Sequence, residues 1–272
     1  MQNKWKYFFA NILSGVAMVI ALSSCKKDKV TGNQQVTDAQ KIKLKEVTVQ
    51  GLPSPYFQYK YDANNFVTEL NQEAGFYQYR IEYKNGRISK MINNTVVNKD
   101  TLIYHYTGNN VTRIDLQQPG LGKTEEVILY YDIENKLIET AWKKTGSAEV
   151  FKRMLFDYNE QNVMWRCEVY YDLGTVGLEK TNTYDFEQFD DKFNPQSNYL
   201  LKESHYLYLP QVRLHKNNPL KVKLSGIIND FEFDNAYQYS DTLPVIKTSV
   251  MKQTRGDGSG MTRTGITRYT YY

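Results

Sequence analysis

Much of the chain is patterned with a period of two. From Phe76 to Lys84, Tyr77, Tyr79, Ile81 and Tyr83 alternate with Gln78, Arg80, Glu82 and Lys84, so rings and aliphatic groups share one strand face and polar groups the other. Five segments repeat a longer version of this pattern, in which an aromatic strand end meets a polar turn and an aliphatic return. They are Tyr59 to Val67, Ile81 to Ile88, Tyr104 to Val111, Leu129 to Leu137 and Phe156 to Val163. Their key tyrosines, Tyr61, Tyr83, Tyr106, Tyr131 and Tyr158, are 22, 23, 25 and 27 residues apart, the length of one hairpin and its connection. Asn85-Gly86 supplies the positive φ angles of a two-residue turn, and the other Asp/Asn/Gly clusters supply longer ones.

The pattern predicts an all-β protein, a large antiparallel meander of repeated hairpins with one wet and one covered face. The hairpins occupy about residues 56–171, and from about 181 to 272 the repeat loosens. Loops are expected to lengthen over Asp185 to Asn198 and Leu209 to Pro219, with strands at Lys221 to Leu224, Ile227 to Phe233 and Val245 to Thr254. A sheet of a dozen or more strands does not stay flat, so it should roll into a barrel-like sheet or split into two layers.

A different pattern opens the chain. Lys4 and Lys6 precede an apolar run from Phe8 to Leu22 that is 15 residues long, too short to span a bilayer, and it closes on Leu22-Ser23-Ser24-Cys25. This segment resembles a bacterial lipoprotein signal peptide. The resemblance implies removal of residues 1–24 and acylation, including palmitate, at Cys25, which becomes the first mature residue. The polar stretch 25–40 is expected to be a flexible tether with a reach of about 20 to 24 Å, leading to one β domain at 41–272. Two or three acyl chains hold a protein to a membrane effectively permanently.

Processing at Cys25 lowers the formal charge from +4 to +2, leaving no basic excess of the kind that binds nucleic acid. It also leaves Cys167 as the lone thiol, so no intramolecular disulfide forms and stability must come from sheet and core.

The aromatic-x-Tyr-Asp units resemble the tyrosine-aspartate repeats of large bacterial surface and toxin-encapsulating proteins. Taken with Leu22 to Asp28, Phe189 to Pro195, Lys216 to Leu220, Tyr239 to Pro244 and Thr262 to Tyr272, the chain is similar to uncharacterised Bacteroidetes lipoproteins with a domain described as porin-like in fold. That resemblance implies a rolled, barrel-like antiparallel sheet and an outer-membrane location, facing the periplasm or the cell surface. It brings no established activity.

Catalytic patterns are sparse. His105, His205 and His215 lack metal-site spacing, and there is neither a Gly-x-Ser-x-Gly elbow nor a phosphate loop, so no cofactor or metal is expected. The acidic cluster Asp185-Phe-Glu187-Gln-Phe-Asp190-Asp191 reads as a solvated strand entering an Asx turn before Asn194-Pro195 rather than as a calcium loop. Arg255-Gly-Asp-Gly-Ser-Gly260 reads as a hairpin turn.

Tyrosine is the compositional outlier, with 23 residues against 12 Phe and 3 Trp. Its apolar ring and polar tip suit half-wet sheets, and also sugar-stacking platforms. Trp142, Trp165, Tyr170 and Tyr171 are the candidate ligand platform. Thr101 and Thr242, each in an Asp-Thr-Leu triplet, resemble the sites at which these bacteria attach O-glycans, Thr242 being the better placed.

Three functions compete: a lipid-anchored module binding a glycan or an envelope protein, an integral outer-membrane barrel, and an enzyme acting on an envelope polymer. The first is favoured, because transmembrane strands need an outward apolar band and Phe76 to Lys84 does not supply one.

Overall fold

A computed structural model describes residues 42–96, 99–174, 177–196 and 207–272. The signal peptide, Cys25, residues 25–40 and His205 lie outside the described residues.

Sixteen strands form a closed antiparallel barrel. The first eight are β1 (Leu44–Val49), β2 (Phe57–Tyr61), β3 (Val67–Gln72), β4 (Tyr77–Lys84), β5 (Arg87–Asn93), β6 (Thr101–Thr107), β7 (Asn110–Gln118) and β8 (Gly122–Tyr131). They are followed by β9 (Leu137–Lys144), β10 (Val150–Tyr158), β11 (Met164–Asp172), β12 (Leu178–Phe193), β13 (Asn217–Gly226), β14 (Asp230–Ser240), β15 (Leu243–Arg255) and β16 (Thr262–Tyr271). Each strand pairs with its sequence neighbours, and β16 returns to β1 through pairs such as Val47 with Tyr269, so the sheet has no free edge.

The expected repeats are consecutive hairpins. In four of them the key tyrosine pairs with the expected returning aliphatic residue, Tyr61 with Val67, Tyr83 with Ile88, Tyr106 with Val111 and Tyr131 with Leu137, while in the fifth Tyr158 pairs with Met164, one residue beyond the expected Val163. Three of the five turns use one device. Asp62 Oδ1 accepts from the backbone N–H groups of Asn64 and Phe66, and Asp132 and Asn159 accept in the same way from residues two and four further on. Asn65, Asn135 and Asn162 then close these turns at φ 68, 62 and 60°, a left-handed conformation that asparagine tolerates better than most residues.

The tyrosine hydroxyls tie one hairpin to the preceding one. Tyr61 donates to the carbonyl of Leu44, Tyr83 to Val67, Tyr106 to Ile88, Tyr131 to Val111 and Tyr158 to Leu137, all at 2.9–3.0 Å. Each ring therefore covers apolar neighbours while its tip satisfies a backbone carbonyl, which is why this position is Tyr rather than Phe.

The covered face points into the barrel. Tyr79 and Ile81 are buried, Tyr83 packs against the core and Arg80 is exposed, as the alternation predicts. One continuous core runs around the interior through Leu70, Met91, Ile114, Val127, Trp142, Met154, Cys167 and Val169.

The second half departs from expectation in two places. The stretch beginning at Asp185, expected as a loop, continues β12 as far as Phe193, because Phe186 and, past two register shifts, Phe189 both reach the core. Ile227 and Ile228, expected to begin a strand, instead form the turn before β14 and are exposed. The connection that follows β12 turns inward: Leu207, Tyr208, Leu209, Val212, Leu214 and His215 are all buried, and Tyr104 Oη donates to the Tyr208 carbonyl at 3.0 Å. This described segment packs inside the barrel as part of its core.

Candidate functional site

The expected four-residue platform divides between the two sides of the wall. Trp142 and Tyr171 face inward, where Lys152 lies between them, its Nζ 4.4 Å from the Trp142 ring centroid and 5.2 Å from that of Tyr171. Trp142 is 1% exposed, so its faces are already covered. Trp165 is the residue left out of register where Tyr158 pairs with Met164, and the Arg166 guanidinium stacks on it at 4.4 Å. Tyr170 lies on the outer wall and donates to Glu168 Oε2 at 2.7 Å. The four residues form no single surface, because neighbouring strand positions point to opposite faces.

The acidic cluster is likewise dispersed, by the same alternation and by pairing. Asp185 takes the Arg166 Nε at 2.6 Å and Glu187 takes the Lys223 ammonium. Asp190 accepts from the Asn218 backbone and side chain and from the Tyr239 hydroxyl, and Asp191 pairs with Lys192. Arg255 is also structural, bonding to Asp230 and to the carbonyls of Gly226, Ile227 and Ile228. No group of three potential metal ligands occurs among the described residues.

His105 belongs to a charged network on the outer wall. Its Nε2 is 2.7 Å from Asp115 Oδ2, while Arg113 and Lys123 reach Oδ1 at 3.1 and 2.9 Å. Burial alone would raise the Asp115 carboxyl, but the bonds from Lys123 and His105 outweigh it and hold the group below its usual range. His215 stands in the opposite environment, its ring 4.2 Å from that of Phe186 and 5.3 Å from that of Phe189. Neither of its ring nitrogens has a hydrogen-bond partner, and burial pushes its pKa down to about 4. Cys167 is fully buried in the core.

Two open grooves lie at the rim that carries the Asp/Asn turns. One, of about 380 Å³, is lined by Arg87, Ile88, Ser89, Tyr104 and Tyr106. The other, of about 450 Å³, lies beside Thr242 and is lined by Leu243, Val245, Tyr269 and Tyr271. Thr242 is exposed in the β14–β15 turn, whereas Thr101 is half-buried where β6 begins.

The outer wall gives the clearest chemical signal. Along one ring of cross-strand neighbours from β10 to β15 the residues are Asp157, Arg166, Asp185, Lys223, Glu232 and Lys252, strictly alternating in sign. Lys60, Glu69 and Arg80 continue the theme across β2 to β4, and Arg153 pairs with Glu139 at 3.0 Å on β9 and β10. A sequence reading sees the charge on each strand. It does not see that neighbouring strands are registered so that opposite charges meet.

No family model matches the chain, and no curated protein does. Among solved structures it is similar to a porin-like protein from Bacteroides uniformis, at 14% identity and a TM-score of 0.58, over 85% of this chain and 95% of that one. It is also similar to a porin-like protein from Bacteroides vulgatus, at 8% identity and a TM-score of 0.53, over 79% of this chain and 92% of that one. At these identities the likeness is one of fold: the chain shares a barrel architecture with proteins described as porin-like.

Proposed function

We propose that the chain is a cell-envelope binding module, a barrel whose outer wall faces water and which is held to the outer membrane by lipid at Cys25. The outer wall is the observation that supports this. A lysine or arginine facing lipid at mid-bilayer costs about 2–4 kcal/mol, and this wall carries such groups on most of its faces while the apolar residues line the inside. In water the same pairs contribute at most about 1 kcal/mol each, which is enough to fix register and solubility. The partner is a glycan or an envelope protein, and the chain is not a catalyst.

The integral barrel is the second reading. Closure by sixteen strands and the porin-like description of both structural neighbours favour it. The two readings separate on one experiment. Membranes carrying the full chain are labelled with palmitate and briefly treated with trypsin, which can cut at Lys26, Lys27 and Lys29 in the expected tether. A lipid-held barrel releases an unlabelled, detergent-free soluble fragment, and Cys25→Ala loses the label. An integral barrel stays in the membrane after cleavage.

A further inference from the structure

The inner face of β14–β16 differs from the rest of the interior. Around β2–β11 the inward positions are mainly aliphatic or aromatic and fully covered, whereas on β14–β16 most are only partly covered, and the polar groups Asn235, Lys247, Ser249 and Thr267 stand among the aromatic ones. The register places Asn235, Ser249 and Gly265 side by side in one inward row, and Tyr237, Lys247 and Thr267 in the next. The outward neighbours Asp234, Ala236 and Gln238 are exposed, while Asn235 and Tyr237 are not, which fixes the direction of the rows.

Lys247 is the group that calls for a ligand. It points to the interior, where it is only partly accessible, and among the described residues nothing pairs with its ammonium. Burial therefore acts on it without compensation and pushes its proton affinity down. The contrast with Lys152, which rests on two aromatic rings, is direct. Among the described residues there is also space beside it: a side chain added at Gly265 would meet none of them within 4 Å. Thr267 flanks the amine, and Tyr237 and Tyr239 stack with ring centroids 6.1 Å apart on the same inner face.

We propose that this wall binds a sugar acid, with Lys247 Nζ taking the carboxylate, Thr267 and Ser249 the ring hydroxyls, and the space before Gly265 the body of the ring. The inference rests on the reading of the chain as a binding module. One ammonium among neutral hydroxyls matches a single negative charge, whereas a phosphate dianion calls for a second cation or a cluster of N–H donors. Tyrosine faces suit the C–H side of a sugar ring.

The test is a titration of the full chain with glucuronate and with glucose, followed by calorimetry and by the signal of reductively ¹³C-methylated lysines. The Lys247 signal is the one lost in Lys247→Met. Glucuronate should bind at least tenfold more tightly than glucose and move that signal, and Lys247→Met should abolish the preference without lowering the melting temperature. Gly265→Val, which fills the space at a residue that suits a strand, should abolish binding of both sugars with the fold intact. Equal binding of the two sugars, or a preference that survives Lys247→Met, would overturn the proposal. Glycan or protein partners that bind unchanged to both variants would overturn it while leaving the binding-module reading in place; silence towards every envelope partner would remove that reading too.

Discussion

The repeat tyrosines show how a single atom fixes the identity of a residue. Tyr131 contributes a ring to the core edge and a hydroxyl to the Val111 carbonyl at 3.0 Å, and burial lifts its phenol well above the usual range. Tyr131→Phe keeps the ring and removes the bond, so it should destabilise the barrel by about 1 kcal/mol in urea titrations; an unchanged midpoint would show that the hydroxyl is ornamental. His215 makes a prediction with a pH sign. Its folded pKa of about 4 lies below the ordinary 6.5, so the unfolded chain binds the extra proton between those values, and stability present above pH 6.5 is lost as pH falls towards 4. The loss is at most about 3 kcal/mol, and in melting curves from pH 7 to 4 it should be absent from His215→Leu. A variant with the same acid sensitivity as the wild type would assign that sensitivity to other groups.

At the scale of hairpins, local chemistry and local sequence coincide, which is why this level was legible. Asp132 folds the turn onto its own backbone two and four residues on, and Asn135 takes the left-handed position at φ 62°. Asn135→Gly should therefore lie within a few tenths of a kcal/mol of wild type, and Asn135→Val should cost about 1–2 kcal/mol by chemical denaturation. Equal effects of the two would mean that the turn does not hold this residue to its conformation. What sequence did not disclose is the set of contacts between distant segments. The tyrosine hydroxyls were expected only to sit on a covered face, yet each reaches back to the hairpin before it. Leu209, Val212 and Leu214 fall in the expected Leu209 to Pro219 loop because they have no strand partner, and their burial depends on a lumen that exists only once β1 meets β16. The same holds for Lys247 in Val245 to Thr254: an isolated lysine in a strand reads as solvated until closure turns it inward.

For the whole molecule, the proposed water-facing wall rests on how the residues are sided. The barrel's buried apolar residues converge inward, and most of its charges meet in pairs on the outside, the reverse of what a bilayer rewards. Sequence alternation shows that siding at Phe76 to Lys84, and the register repeats it from β10 to β15. The candidate platform fared differently because Trp142 and Tyr171 face in while Trp165 and Tyr170 do not, a difference decided by one bulge and by strand parity. The most direct test of the water-facing wall is the labelling rate of single cysteines at Arg80, Arg153 and Lys223 by a membrane-impermeant maleimide, with the full chain in lipid vesicles. All three should react as fast as they do in detergent solution; protection of the three in vesicles and reactivity only in detergent would place lipid against the wall and contradict the account.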